Sequence, residues 1–321
     1  MIRIGIVGFG NLGKAVKESI KNFDDIKLVC IFTKRDLALF KGIDAKFDKL
    51  ENIEKYVNEI DVMIMCGGSA KDLRIESPQA LKFFCIVDSF DTHAQILEHY
   101  NLLNKVGTDC GRLALFSAGW DPGIFSMMRL LFESISQKGT QTFWGKGVSQ
   151  GHSDAIRKIN GVLDARSYTI PNKYYLKKAK RGTFKICDAK KLHRRNCFVT
   201  TFKGVNKKRI ANEIKSIPNY FLGYKTKVRF VSQKVLNQKH SKLFHAGRVL
   251  NSFSVTDNAS FMEFCLKLQS NPIFTASVML MFTKAVFKLF KEGRVGAITV
   301  LDIPLSYLTN YSKEYLLTNI M

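Results

Sequence analysis

The residues of this chain that can do chemistry are a glycine run at its start and carboxylates just past short apolar segments. Ile2 to Val7 reads as a buried strand, Gly8-Phe9-Gly10-Asn11-Leu12-Gly13 follows at once, and Lys14 to Ile20 reads as a helix. G-x-G-x-x-G between a strand and a helix is the setting in which this pattern holds a dinucleotide. Gly8 allows the tight turn, Gly10 lets a pyrophosphate approach the backbone, and Gly13 lets the helix pack on the strand. The free N–H groups and partial positive charge of the helix N-terminus favour the phosphates. A glycine turn that binds nothing has the same composition.

The second apolar segment, Ile26 to Phe32, runs into Thr33-Lys34-Arg35. An acidic residue at this point holds a ribose 2′-hydroxyl and repels a 2′-phosphate, whereas Lys and Arg attract the phosphate. Asp36 comes one place late and behind two cations, so NADP(H) is expected. The other reading is a basic surface turn. Ile60 to Met65 reads as a strand and leads into Cys66-Gly67-Gly68-Ser69-Ala70, which fits a cofactor crevice or a simple turn. Asp91 lies in Ser89-Phe90-Asp91-Thr92-His93 and Asp121 in Ser117-Ala118-Gly119-Trp120-Asp121-Pro122-Gly123, both past predicted strands. Each is a ligand group or a helix cap, and Pro122 has the option of opening a helix. His152 with Asp154, and Asp91 with His93, lack a second pair at zinc-like spacing, so no metal is expected.

Positioning these groups calls for strands alternating with helices. Helices are predicted at Pro78 to Phe84 and Ala94 to Val106, strands at Cys85 to Asp88 and Leu113 to Phe116. This alternation from Ile2 to Phe116 predicts a doubly wound parallel sheet. After Asp121 the texture changes. Thr142 to His152 is glycine-rich and aromatic, as a pocket-lining loop is. Lys173 to Lys191 is strongly basic and expected to be exposed. Phe198 to Phe202 and Lys227 to Val231 suit an antiparallel sheet. Thr275 to Phe290 reads as a long amphipathic helix, and Ala297 to Ile303 as a late strand returning to the first domain. A length of 321 residues predicts two domains. Met1 runs straight into the first strand, so no signal peptide is expected. Ile273 to Phe290, broken by Lys284 and Lys288, reads as too short and too charged to span a membrane. Seven cysteines without a C-x-x-C pair suggest reduced thiols in the cytosol. The net charge of +23 accompanies abundant Lys, Asn, Ile and Phe, which favours a composition bias over solvated faces rather than nucleic-acid binding.

These segments together carry a resemblance. Val7 to Gly13, Val87 to His93, Gly119 to Gly123, Thr142 to Asp154, Arg195-Asn196-Cys197-Phe198 and Asn271 to Ser277 resemble the meso-diaminopimelate dehydrogenase family along nearly the whole chain, and the run from Phe143 to Asp154 is highly specific. The resemblance implies an N-terminal Rossmann-type domain, 1–118, completed by 271–321, and an α+β substrate-binding and dimerisation domain, 119–270. It implies NADP-dependent oxidative deamination of the D-centre of meso-2,6-diaminopimelate to L-2-amino-6-oxopimelate, which cyclises to tetrahydrodipicolinate, in a cytoplasmic homodimer of lysine biosynthesis. Asp91, Asp121, Trp144 and Gln150 would surround the D-centre, with Asp121 and Asp91 catalytic. Thr169, Arg195, His245 and Asn271 would hold the distal L-centre. NADP would meet Gly8, Gly10, Asn11, Leu12, Gly13, Thr33, Lys34, Arg35, Cys66, Gly67, Gly68, Ser69, Ala70, Ser89, Phe90, Asp91, Asp121, Pro122 and Gly123. Both signs of ligand suit a substrate with two ammonium and two carboxylate groups. The departures are a glycine-poor 243–258 segment and Lys34-Arg35 where two arginines are expected. Competing readings are another NAD(P)-linked amino-acid dehydrogenase, a dihydrodipicolinate reductase, or a dinucleotide-sensing nucleic-acid regulator.

Overall fold

Apolar residues fill both faces of the first strands. Ile2, Ile4 and Ile6 enter one core and Val7 the other; Val62 and Ile64 enter the first, Met63 and Met65 the second. Such strands are near-continuous apolar runs because helices cover the sheet on both sides. The computed structural model describes residues 1–69, 71–136, 139–181, 188–255 and 258–321. In chain order the strands are β1 (Ile2–Val7), β2 (Ile26–Thr33), β3 (Phe47–Lys49), β4 (Val62–Met65), β5 (Cys85–Asp88), β6 (Leu113–Leu115), β7 (Gln141–Trp144), β8 (Gly147–Ser149), β9 (Val162–Pro171), β10 (His193–Thr201), β11 (Lys225–Phe230), β12 (His245–Val255), β13 (Asn258–Leu268) and β14 (Gly296–Ile298).

The chain divides into two compact units, Met1–Met127 with Pro272–Met321, and Met128–Asn271. In the first, seven strands form a sheet in the order β14-β6-β5-β4-β1-β2-β3, and every pairing is parallel. The helices Asn11–Ser19 and Asn271–Lys291 supply Ala15, Val16, Met279, Phe282 and Val286 to one core. Helices Leu73–Leu81 and Ile96–Asp109 supply Leu73, Leu81 and Leu103 to the other. This is the doubly wound α/β arrangement that the strand–helix alternation predicts. The late strand is only Gly296–Ile298, and it extends the sheet by pairing with β6.

The helix Asn271–Lys291 corrects one expectation. It has 21 residues and passes, by length and composition alone, as long and apolar enough to cross a membrane. The apolar stretch understated it because Asn271, Pro272 and Lys291 add to the helix without adding apolar residues. Its buried residues belong to the core of the first sheet, where Phe282 is fully buried.

In the second unit β11-β10-β9-β8 form one sheet and β13-β12-β7 another. β10 runs antiparallel to β9 but parallel to β11, which corrects the wholly antiparallel expectation. The helix Lys207–Ser216 between β10 and β11 makes the crossover that parallel neighbours require, burying Ile210 and Ile214 against Ala165, Cys197 and Val199. The supposed loop over 142–152 is strand β7, strand β8 and the start of the helix Gln150–Arg157. Within the basic 173–191 stretch a helix spans Lys173–Lys180, with Ala179 buried and Tyr175 and Leu176 packed near Phe143, Leu192 and Leu250. Its cations are exposed on one face while those apolar residues hold the other.

Candidate active site

The glycine turn has the geometry its spacing calls for. Gly8 sits at φ +90° and its N–H donates to the Phe32 carbonyl at 2.9 Å. A Cβ on Gly13 would stand 2.1 Å from the Gly8 carbonyl oxygen, so only glycine lets the helix Asn11–Ser19 approach the turn. Gly10 caps that helix, and no atom lies within 4 Å of where its Cβ would be. An open backbone at a helix N-terminus, with Asn11 and Leu12 in the first turn, fits a pyrophosphate.

At the end of β2 the two cations part company. Arg35 donates from Nη2 to the Phe9 carbonyl at 2.6 Å, stacks its guanidinium 4.9 Å from the Phe40 ring centre, and donates its backbone N–H to Thr33 Oγ1 at 3.1 Å. It is held beside the glycine turn. Lys34 instead pairs through Nζ with the buried Glu76 carboxylate at 2.7 Å, a hydrogen bond that raises its pKa. Gly67 and Gly68 follow β4, where a Cβ on Gly67 would meet Asp72 at 2.8 Å and the Gly68 N–H donates to Asp72 Oδ2 at 2.8 Å. Burial pushes the Cys66 thiol far up, so it stays protonated. These groups lie past the carboxyl ends of β1, β2 and β4, on either side of the reversal in strand order, where open α/β sheets bind ligands. Ala70 lies outside the described residues.

Asp91 follows β5 and Asp121 follows β6. The Asp91 N–H donates to Ser69 Oγ at 2.8 Å, and Ser69 Oγ also meets Thr92 Oγ1 at 3.1 Å, which ties the loops after β4 and β5 together. Thr92, not Asp91, occupies the N-cap position of the next turn. The helix after Asp121 begins at Ile124, so Pro122 does not open it. Instead 119–123 closes on itself: Gly119 N–H donates to the Pro122 carbonyl at 3.0 Å, and Ile124 N–H to the Gly119 carbonyl at 3.1 Å. Asp121 sits at the bend, next to Pro122.

In the second unit the strands bring distant residues together. Arg195 on β10 is opposite Thr169 on β9, and its Nη1 donates to Thr169 Oγ1 at 2.6 Å. Its Nε donates to the Tyr220 carbonyl at 3.4 Å and its guanidinium lies 4.2 Å from the Tyr224 ring centre. Burial lowers the Arg195 pKa, with Tyr224 and Cys197 opposing. Gly147 pairs with Thr169, and a Cβ on Gly147 would stand 2.5 Å from His245 Cα. Gly145 sits at φ +103°, its missing Cβ 2.1 Å from the Thr169 carbonyl oxygen. The two glycines of Trp-Gly-x-Gly thus let this segment lie against Thr169 and His245. Trp144 pairs with Gly247 on β12, Gln150 opens the helix Gln150–Arg157, and Asn271 donates its N–H to the Leu243 carbonyl at 3.0 Å, near His245. The glycine-poor 243–258 segment supplies β12 and the start of β13, with 256 and 257 outside the described residues.

Spacing missed three groups. His193 is buried, donates from Nδ1 to the Ala189 carbonyl at 3.0 Å and accepts the Trp144 N–H at Nε2 at 2.8 Å; burial pulls its pKa to about 4. It is a neutral support for the Trp144 backbone. His152 packs its ring 5.0 Å from Tyr220 and 5.4 Å from Phe221, bonds Ser149 Oγ, and is pushed well below the ordinary histidine value by burial, then by Arg195 and His245. Asp88, at the end of β5, is fully buried and bonded to His99. In the sequence Asp88 reads only as a carboxylate at a strand end and His152 only as a neighbour of Asp154, and nothing marks His193. Among the described residues, no three His, Cys, Asp or Glu side chains are grouped as metal ligands.

The chain matches the model of the diaminopimelic acid dehydrogenase C-terminal domain over residues 119–270. It is 43% identical to the meso-diaminopimelate D-dehydrogenase of Ureibacillus thermosphaericus, over 98% of this chain and 97% of that protein. Its fold is similar to the Corynebacterium glutamicum DAP dehydrogenase in complex with DAP, with a TM-score of 0.96 and 36% identity over 100% of this chain and 99% of the other. It is also similar to an engineered D-amino acid dehydrogenase bound to NADP+, with a TM-score of 0.93 and 34% identity over 100% of this chain and 99% of the other. Near-complete coverage at this identity, on the glycine turn and strand-paired Arg195 just described, shows that the chain belongs to the meso-diaminopimelate D-dehydrogenase family.

Proposed function

We propose that the protein oxidises the D-centre of meso-2,6-diaminopimelate with NADP+, giving L-2-amino-6-oxopimelate, ammonium and NADPH. The near-full-length similarity to a meso-diaminopimelate D-dehydrogenase carries this reading. The geometry supports it independently, since a glycine turn with an open Gly10 and an adjacent Arg35 fits a 2′-phosphorylated dinucleotide. NADP+, when bound, supplies the hydride acceptor.

The chain's own residues bind and orient. Arg195, aligned by Thr169 and the Tyr220 carbonyl, takes the distal carboxylate with a planar pair of donors, and His245 and Asn271 complete the L-centre. Asp91, Asp121, Trp144 and Gln150 hold the D-centre. Asp121 accepts a proton from the D-ammonium group, directly or through water, so that the nitrogen lone pair assists departure of the α-hydrogen. The resulting substrate imine adds water and expels ammonia. Asp91 steadies the same nitrogen and serves binding more than rate. In this reading 1–118 and 271–321 bind the dinucleotide, 119–270 binds substrate and dimerises, and the protein is a cytoplasmic homodimer that meets neither nucleic acid nor membrane. Formation of NADPH from meso-diaminopimelate tests the reaction; sedimentation tests the dimer.

A further inference from the structure

We propose that Asp88 and His99, both buried, form a positioning pair that sets the loops bearing Asp91 and Asp121. The inference builds on the catalytic reading of those two carboxylates. Asp88 ends β5 and is fully buried. Its Oδ1 accepts the backbone N–H of Phe90 at 3.0 Å and that of Ser117 at 3.1 Å. Its Oδ2 accepts from the Ser77 hydroxyl at 3.0 Å and from His99 Nε2 at 2.8 Å. The Asp88 carbonyl accepts the Ala118 N–H at 2.8 Å, and the Ser117 hydroxyl donates to the Phe90 carbonyl at 2.7 Å. One side chain therefore bridges the exits of two neighbouring strands, β5 and β6. Asp91 adjoins Phe90, and the 119–123 bend that carries Asp121 begins two residues after Ser117.

Two features separate this pair from ordinary core packing. Ser117 has φ +59°, a left-handed conformation costly for a residue with a side chain, held by the bonds to Asp88 and Phe90. Replacing buried ionic groups by apolar packing is often neutral for stability, so in this proposal the role of Asp88 is to fix the two loops. His99 orients the carboxylate and the loop at once, because its ring also stacks on Phe90 at 4.1 Å and 15° and meets the edge of Phe116 at 5.7 Å.

The structure offers a direct test. His99 also lines a cavity of about 500 Å³ with Lys71, Arg74, Ile75, Glu98 and Leu102. Removing its ring in His99→Ala should leave an imidazole-sized space between that cleft and Asp88, which free imidazole can fill. The expected result is a kcat lowered about 10–100-fold, the scale of a misplaced reacting group. NADP+ affinity should change less, and the primary deuterium isotope effect with α-deuterated substrate should rise. Imidazole should restore kcat saturably in His99→Ala but not in Asp88→Asn/His99→Ala, and His99→Gln, which can keep a donor to Asp88, should stay near wild type. If His99→Ala does not fold, Ser77→Ala, which removes another donor to Oδ2, should raise the isotope effect while lowering kcat. A folded His99→Ala with wild-type kcat and isotope effect overturns the pair. So does a loss of activity that only follows the fraction of NADPH-binding sites and ignores imidazole. Asp121→Asn run alongside separates the two levels. If it is inactive while the pair variants are normal, the positioning role alone falls; if it is fully active, the catalytic reading falls and takes the pair with it.

Discussion

Replacing Arg195 by Lys keeps the charge and removes the fork. In the protein the guanidinium donates to Thr169 Oγ1 at 2.6 Å and to the Tyr220 carbonyl at 3.4 Å and lies 4.2 Å from the Tyr224 ring centre. A lysine ammonium cannot reproduce that plane, so it loses one charge-assisted hydrogen bond to a bound carboxylate as well as the contacts that aim it. A hydrogen bond to a charged group contributes about 1.5–3 kcal/mol. With each 1.4 kcal/mol worth about tenfold, KM for meso-diaminopimelate should rise about 10–100-fold. The dinucleotide does not depend on Arg195 in this account, so the NADP+ dissociation constant should stay the same. Initial rates over substrate concentration, with NADP+ binding followed by fluorescence, measure both. Unchanged kinetic constants in Arg195→Lys would refute the clamp.

Other outcomes follow from the same geometry. Arg35→Ala should weaken NADP+ binding by more than Lys34→Ala, because Lys34 is tied to Glu76 at 2.7 Å while Arg35 stands beside the glycine turn; equal effects by titration would count against this division. Gly13→Ala, with its new Cβ 2.1 Å from the Gly8 carbonyl, should destabilise the fold by about 1–3 kcal/mol or more. Gly10→Ala should melt like wild type yet bind NADP+ less well, and denaturation curves with NADP+ titrations check both. His193 has a folded pKa of about 4, below the unfolded value near 6.5. Unfolding thus takes up a proton between those values, and stability present above about pH 6.5 is lost as pH falls towards about 4, by up to about 3 kcal/mol. Urea midpoints against pH should show this slope, and His193→Gln should flatten it. Asp121→Asn should lower kcat about 100-fold or more, the scale of a lost general base, with NADP+ binding nearly unchanged because the glycine turn holds most of the dinucleotide; a raised KM alone would leave Asp121 a binding residue.

Local patterns were readable where one segment does the whole job. Gly8, Gly10 and Gly13 act within a single strand–turn–helix, so their spacing already contains their geometry. Strand direction was not local. β10 and β11 look like any β-rich pair, and only the intervening helix Lys207–Ser216 makes them parallel. Arg195 and Thr169 meet through the register of β9 and β10, which no linear spacing reveals. Lys34 carries charge in the sequence, but the buried Glu76 that engages it sits on another element. Asp88 reads as an unremarkable strand end, because the backbone N–H groups it accepts from arrive by folding.

In the proposed reaction hydride leaves the D-centre of a substrate anchored through its L-centre. NADPH formation followed with meso-, LL- and DD-diaminopimelate under identical conditions tests this. Rapid turnover of the meso isomer is expected, and none of the LL isomer, which has no D-centre. Weak turnover is expected of the DD isomer, which presents the wrong configuration to the Arg195 side. Turnover of LL-diaminopimelate at a rate comparable with the meso isomer, or no NADPH from the meso isomer, would contradict the proposed reaction.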